Sequence, residues 1–180
     1  FGLCVLMFTS CNNKKDETRL ISVKWEMGKN LPDYQYTNTF YFTNNGDSPL
    51  ENDWVFYYGQ LPAVPQKETG AAFAAEQVCG THYKLYPTEN YQPIKPGETV
   101  AFEFTCQGEV TKEGNGPLGG YFVWLDKDGK ETGRPQSVEI SIFPFDKPEQ
   151  WAKGGSRKVY PYGDILFDKY AQVLDEEQSP

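Results

Sequence analysis

Between Leu20 and Met27 apolar and polar residues alternate: Ile21, Val23, Trp25 and Met27 on one side, Ser22, Lys24 and Glu26 on the other. Successive side chains leave a strand on opposite faces, so this period of two predicts a strand with one face buried. The pattern returns at Val100, Phe102 and Phe104, which alternate with Ala101, Glu103 and Thr105. Between these two strands, Asn38–Pro62 carries the aromatic run Phe40-Tyr41-Phe42, then Asn44-Asn45-Gly46-Asp47, then Trp54–Tyr58. Two strand-like runs around a Gly-containing connection predict a β-hairpin, apolar on both faces in places. Tyr121–Asp126, the Asp-Gly turn in Lys127–Lys130 and a return along Val138–Phe143 predict a second hairpin.

The intervening stretches are punctuated by turn formers. Gly28–Tyr34, Gln60–Ala72 and Gly108–Gly120 read as loops, and Pro93–Glu98 as a turn in which Pro fixes φ and Gly supplies positive φ. Gly80–Tyr86 is a short strand stopped by Pro87, while Ala71–Val78 fits a helical turn and an irregular strand equally. Pro144–Pro148 breaks regular pairing and presents Trp151, and Asp164–Leu174 has apolar spacing suited to a short helix in a C-terminal tail. Seven or eight strands with turns about every ten residues predict an all-β domain. Its expected form is a two-sheet antiparallel β-sandwich of the immunoglobulin or carbohydrate-binding-module kind. A parallel α/β sheet would need helical crossovers, and the connections are too polar and proline-rich to supply them.

Composition narrows the function and suggests an address. The 180 residues carry a formal charge of −8, which excludes neutralisation of a row of nucleic-acid phosphates and leaves a neutral ligand such as a sugar unaffected. The uncharged run Phe1–Cys11 resembles the back half of a bacterial lipoprotein signal, with Phe8-Thr9-Ser10-Cys11 as its lipobox and Phe8 where Leu is usual. The expected organisation is a truncated signal over residues 1–11, a polar tether over 12–18, the sandwich over 19–160 and a tail or linker over 161–180. Cys11 is the expected lipidation site, which places the protein at the bacterial cell envelope as a membrane-anchored lipoprotein. With no initiator Met, the chain is expected to be a fragment.

Two cysteines remain in the folded part. If the runs ending at Tyr86 and beginning at Thr99 pair antiparallel, Cys79 falls opposite Cys106, and a disulfide and two free thiols stand as equal alternatives. The single histidine, His82, lies three residues after Cys79; no second Cys/His pair follows, so no metal site is expected. On a continuous strand those two side chains would point to opposite faces and could not form a nucleophile–base pair. The acids Glu103, Asp126, Glu139 and Asp146 are scattered with nothing to pair them, and no phosphate loop or nucleophile elbow is present. No catalytic residue and no cofactor are expected. What remains is aromatic: Trp54, Tyr57, Trp124 and Trp151 are candidates for a platform that stacks on sugar rings. Packing in the core or against a neighbouring domain is the competing use for each.

Five segments in order carry a family resemblance. They are Phe42–Gly46 followed by Asp53–Tyr58, then Gly80–Pro87, then Ile94–Val100, then Tyr121-Phe122-Val123, and finally Pro144-Phe145 through Gln150-Trp151. Over about Arg19 to Trp151 the chain resembles the N-terminal domain of bacterial chitobiases and β-N-acetylhexosaminidases, the family 20 glycoside hydrolases. The resemblance implies a sandwich similar to carbohydrate-binding modules, set ahead of a catalytic barrel whose Asp-Glu pair follows His-x-Gly-Gly. Here Asp16-Glu17 and Asp175-Glu176 lack that context, and a barrel needs about 250 residues, so catalysis is expected to lie outside this chain. The expected role is a non-catalytic accessory module that binds N-acetylated glycans or packs on a downstream catalytic domain. The alternatives are a stand-alone glycan-binding surface lipoprotein and an immunoglobulin-like interaction module.

Overall fold

The computed structural model describes residues 19–61, 64–66, 71–110 and 112–151. Ten strands form two sheets. The first is ordered β10 (Ile140–Ile142), β1 (Ile21–Leu31), β2 (Gln35–Asn44), β7 (Thr99–Gln107), β4 (Val64–Pro65). The second is ordered β5 (Phe73–Cys79), β6 (His82–Pro87), β3 (Trp54–Gly59), β8 (Leu118–Leu125), β9 (Glu131–Ser137). All pairings are antiparallel except that of β1 with β10. A single helical turn, α1 (Pro148–Trp151), packs against β1. The β-sandwich is therefore as expected, with one parallel pair in it.

The inward faces follow from the alternation. Ile21, Val23, Trp25 and Met27 of β1 are buried, as are Phe102 and Phe104 of β7. β1 runs on to Leu31, further than the loop expected from Gly28, through a bulge between Met27 and Asn30. Gly28 is required there, because a Cβ would lie 2.3 Å from Thr37 Oγ1. The inward face also holds Asn38, fully buried: its Nδ2 donates to the Phe104 carbonyl at 3.0 Å and its Oδ1 accepts from Trp25 Nε1 at 2.8 Å. Asn30 does the same for Val110, donating to its carbonyl at 2.8 Å and accepting from its N–H at 3.1 Å. Buried amides are tolerated because both ends of each are satisfied.

Both expected hairpins are corrected. β2 and β3 do not pair; they belong to opposite sheets, and residues 45–53 carry the chain across the sandwich. Asn44 organises this crossing, its Nδ2 donating to the carbonyls of Ser48 and Ile94 and its Oδ1 accepting from Gly46 N. Phe40 and Phe42 then meet β3 face to face across the interior. Phe40 lies 5.7 Å from Phe56 and 4.9 Å from Tyr58, and Phe42 lies 5.5 Å from both Trp54 and Phe56. In the second case Asp-Gly does turn the chain back on β8, but the returning strand is β9. Val138–Phe143 instead crosses over, and its β10 joins β1 of the first sheet.

The run from Cys79 to Tyr86 is not one strand either. It turns at Gly80-Thr81, and Ala71–Val78 supplies the strand β5 that pairs back on β6. Cys79 thus sits across from His82 in the second sheet, while Cys106 sits across from Tyr36 in the first, and both thiols are free. Of the two alternatives the free thiols hold, because β6 and β7 lie in different sheets and Cys79 does not come opposite Cys106. Cys79 is exposed, whereas burial pushes the Cys106 thiol up to about 12. The signal at 1–11, the tether at 12–18, the end of the sandwich after 151 and the tail at 161–180 lie outside the described residues.

Two outcomes test this arrangement. Phe42 touches four aromatic neighbours of the second sheet, so Phe42→Ala is expected to lose about 3–5 kcal/mol in denaturant unfolding; a loss under about 1 kcal/mol would contradict this packing. Brief alkylation of the native protein, read by peptide mapping, is expected to label Cys79 and spare Cys106 until denaturant is added. A cross-linked Cys79–Cys106 peptide would overturn the assignment.

Candidate functional site

The inward positions of β3 and β8 are taken by Trp54, Phe56, Tyr58 and Phe122, all fully buried. The pleat turns the alternate residues toward the outer face, and Tyr57 of β3 and Tyr121 of β8 are among them. Tyr57 and Tyr121 are register partners, with ring centroids 5.1 Å apart and planes 14° from parallel. His82, from β6, stacks on Tyr57 at 5.4 Å and 6°, and its Nε2 lies 3.2 Å from the Tyr121 hydroxyl. Three partly exposed rings thus share nearly one orientation on the outer face.

Polar groups hold the rings in place. Tyr57 Oη donates to Glu131 Oε1 at 3.0 Å. Partial burial, then that carboxylate, push the Tyr57 hydroxyl up to about 12, so the ring is neutral at physiological pH. On the far side, Lys84 pairs with Glu76 at 3.0 Å and its ammonium stands 5.0 Å over the Tyr86 ring, whose hydroxyl donates to Glu76. This flank is solvent-exposed, so its ion pair orders the side chains more than it stabilises the fold.

Beside Tyr121 the face falls into an open cleft of about 600 Å³, lined by Gly119, Gly120, Pro135, Ser137, Val138 and Glu139. A second cleft of about 620 Å³ follows the crossing at 45–53 and holds Asp47, Glu51 and Asp53. Asp53 is already engaged there, accepting both Arg19 guanidinium nitrogens at 2.7 and 2.5 Å. Among the described residues no three acids, histidines or cysteines converge on a metal position.

The candidates read from the sequence separate. Trp54 is fully buried against Phe42, Phe73, Tyr91 and Phe122, and cannot meet a ligand. Trp124 stacks on Phe122 at 5.6 Å and is covered by the Arg19 guanidinium at 4.1 Å. Arg19 is held over it by Asp53 and by two hydrogen bonds between its backbone and Gln136. Trp151 closes α1, and its side chain, like Cys11, lies outside what is described. Of the candidates whose side chains are described, Tyr57 alone reaches the ring cluster. His82 and Tyr121 were missed. The signal for Tyr121 was its position opposite Phe122 and Trp124; His82 had none, because its place depends on the turn at Gly80-Thr81.

Residues 16–116, more than half of the chain, match a family profile described as "Putative carbohydrate binding domain", CHB_HEX. The chain belongs to this chitobiase/hexosaminidase N-terminal domain family. The fold agrees. A GH20 exo-β-N-acetylglucosaminidase from Vibrio harveyi, solved in complex with N-acetylglucosamine, superposes with a TM-score of 0.50 at 14% identity over 69% of this chain. An inactive D437A mutant of the Vibrio enzyme gives the same values. A family GH18 chitinase from Chromobacterium violaceum superposes with a TM-score of 0.45 at 14% identity, over 65% of this chain and 18% of that one. This chain spans only 18% of the Vibrio proteins' length. No curated protein sequence matches it.

Proposed function

We propose that this domain is a non-catalytic accessory module that holds glycans bearing N-acetylhexosamine for a β-N-acetylhexosaminidase acting on their terminal residues. The observation that carries the reading is the solvent-facing group of Tyr57, His82 and Tyr121, with rings within 18° of parallel. A sugar ring has an apolar C–H face and a polar hydroxyl edge. Aromatic faces receive the first while Glu131 and Lys84 lie close enough for the second. Two further facts support it: the family to which the chain belongs, and the similarity of its fold to part of an exo-β-N-acetylglucosaminidase. The net charge of −8 is compatible with a neutral polysaccharide.

Calorimetric titration with chitooligosaccharides tests the reading. Tyr57→Ala and Tyr121→Ala are each expected to weaken binding about tenfold, or about 1.4 kcal/mol, with native circular dichroism retained. Unchanged affinity in both variants would return these rings to domain packing. The proposed address is the cell envelope, through acylation of Cys11. Labelled fatty acid should enter the protein in bacterial cells and be lost in Cys11→Ser; equal labelling would rule out the anchor.

A further inference from the structure

We infer that the cleft beside Tyr121 is an acetamido subsite, so that the module distinguishes N-acetylated sugars from their hydroxyl and free-amine counterparts. This rests on the proposed glycan-binding function and deepens it by assigning the N-acetyl selectivity to a place in the fold, because a ring platform alone holds any pyranose.

The cleft exists because β8 carries no side chain where it passes Tyr121. At Gly120 a Cβ would lie 2.9 Å from Ile140 Cγ1 and 3.1 Å from Phe56 Cε2, so that position is closed by the core. At Gly119, φ is +62° and a Cβ would meet nothing within 4 Å, so the missing side chain leaves open space on the surface. Left-handed backbone there favours glycine over any residue that would fill the hollow.

The walls come from the neighbouring edge. Ser137 is the register partner of Tyr121 on β9, Pro135 from the bulge just before it also lines the cleft, and Val138 N donates to the Gly120 carbonyl at 2.9 Å. Apolar surface from Pro135, Val138 and the glycine backbone forms most of the lining. The Ser137 hydroxyl and the Glu139 carboxylate add polar groups, and neither is engaged by another described side chain. That combination has the chemical groups an acetamido substituent would use. The methyl meets the apolar lining, the amide N–H is donated to the Glu139 carboxylate, and the carbonyl accepts from the Ser137 hydroxyl.

Continuity with the platform fixes the occupant. Tyr121 is both a member of the ring group and a wall of the cleft, so a sugar on its ring has a ring substituent directed into the hollow. A glucose hydroxyl would leave the apolar lining uncovered.

The test compares three β-1,4-linked trimers, of N-acetylglucosamine, glucose and glucosamine, titrated calorimetrically into the 180-residue chain. The acetylated trimer is expected to bind about tenfold tighter than the other two. Ser137→Tyr fills the cleft from an exposed edge strand, and Glu139→Ala removes the acceptor; each is expected to bring the ratio of acetylated to glucose affinity close to one. Should Ser137→Tyr fail to fold, Glu139→Ala alone decides. Equal wild-type affinities, tightest binding of the glucosamine trimer, or a ratio that survives in the folded variants would each overturn the subsite. Binding of none of the trimers would instead overturn the glycan-binding reading on which it rests.

Discussion

The packing of β2 against β3 across the interior sets the rest of the molecule. Phe40 and Phe42 from one sheet interlock with Trp54, Phe56 and Tyr58 from the other at centroid distances of 4.9–5.7 Å. Aromatic pairs at such separations add to an already large burial term, so this contact outweighs any single hydrogen bond in the fold. It is available only because residues 45–53 carry the chain across the sandwich, with the Asn44 side chain holding the start of that crossing. A tight turn here would have put the two aromatic strands side by side in one sheet and left nothing to fill the opposite half of the core.

The candidate site is a consequence of that core. Once Trp54, Phe56 and Tyr58 point inward, the pleat sends Tyr57 outward, and the register of β8 places Tyr121 beside it. The turn at Gly80-Thr81 then brings His82 to the same face, opposite Gly59 and diagonal to Tyr57, where the imidazole lies against the Tyr57 ring. The buried side-chain amides of Asn38, Asn30 and Gln150 each have structural partners.

Legibility in the sequence divides along the same line. The clean strands β1 and β7 are visible because one face meets water and the other meets the core, which writes a period of two into the chain. β5 was ambiguous because Ala71–Val78 lacks that contrast, and most of its residues are at least partly exposed. Trp54, Trp124 and Tyr57 all look alike as aromatic residues on strands. Their fates differ by one step of the pleat for Tyr57, and for Trp124 by a guanidinium delivered from Arg19, far away in sequence.

The amino-acid sequence by itself determined that this is an all-β sandwich rich in aromatics and which faces of its main strands are apolar. Those properties are local, written in the alternation and the turn residues. Only the tertiary structure decided which strands pair, that the two aromatic runs face each other across the core and that Cys79 and Cys106 stay apart. It alone assembled Tyr57, His82 and Tyr121 beside the cleft at Gly119. Strand pairing is set by contacts between residues distant along the chain, and a period of two looks the same whichever sheet a strand joins.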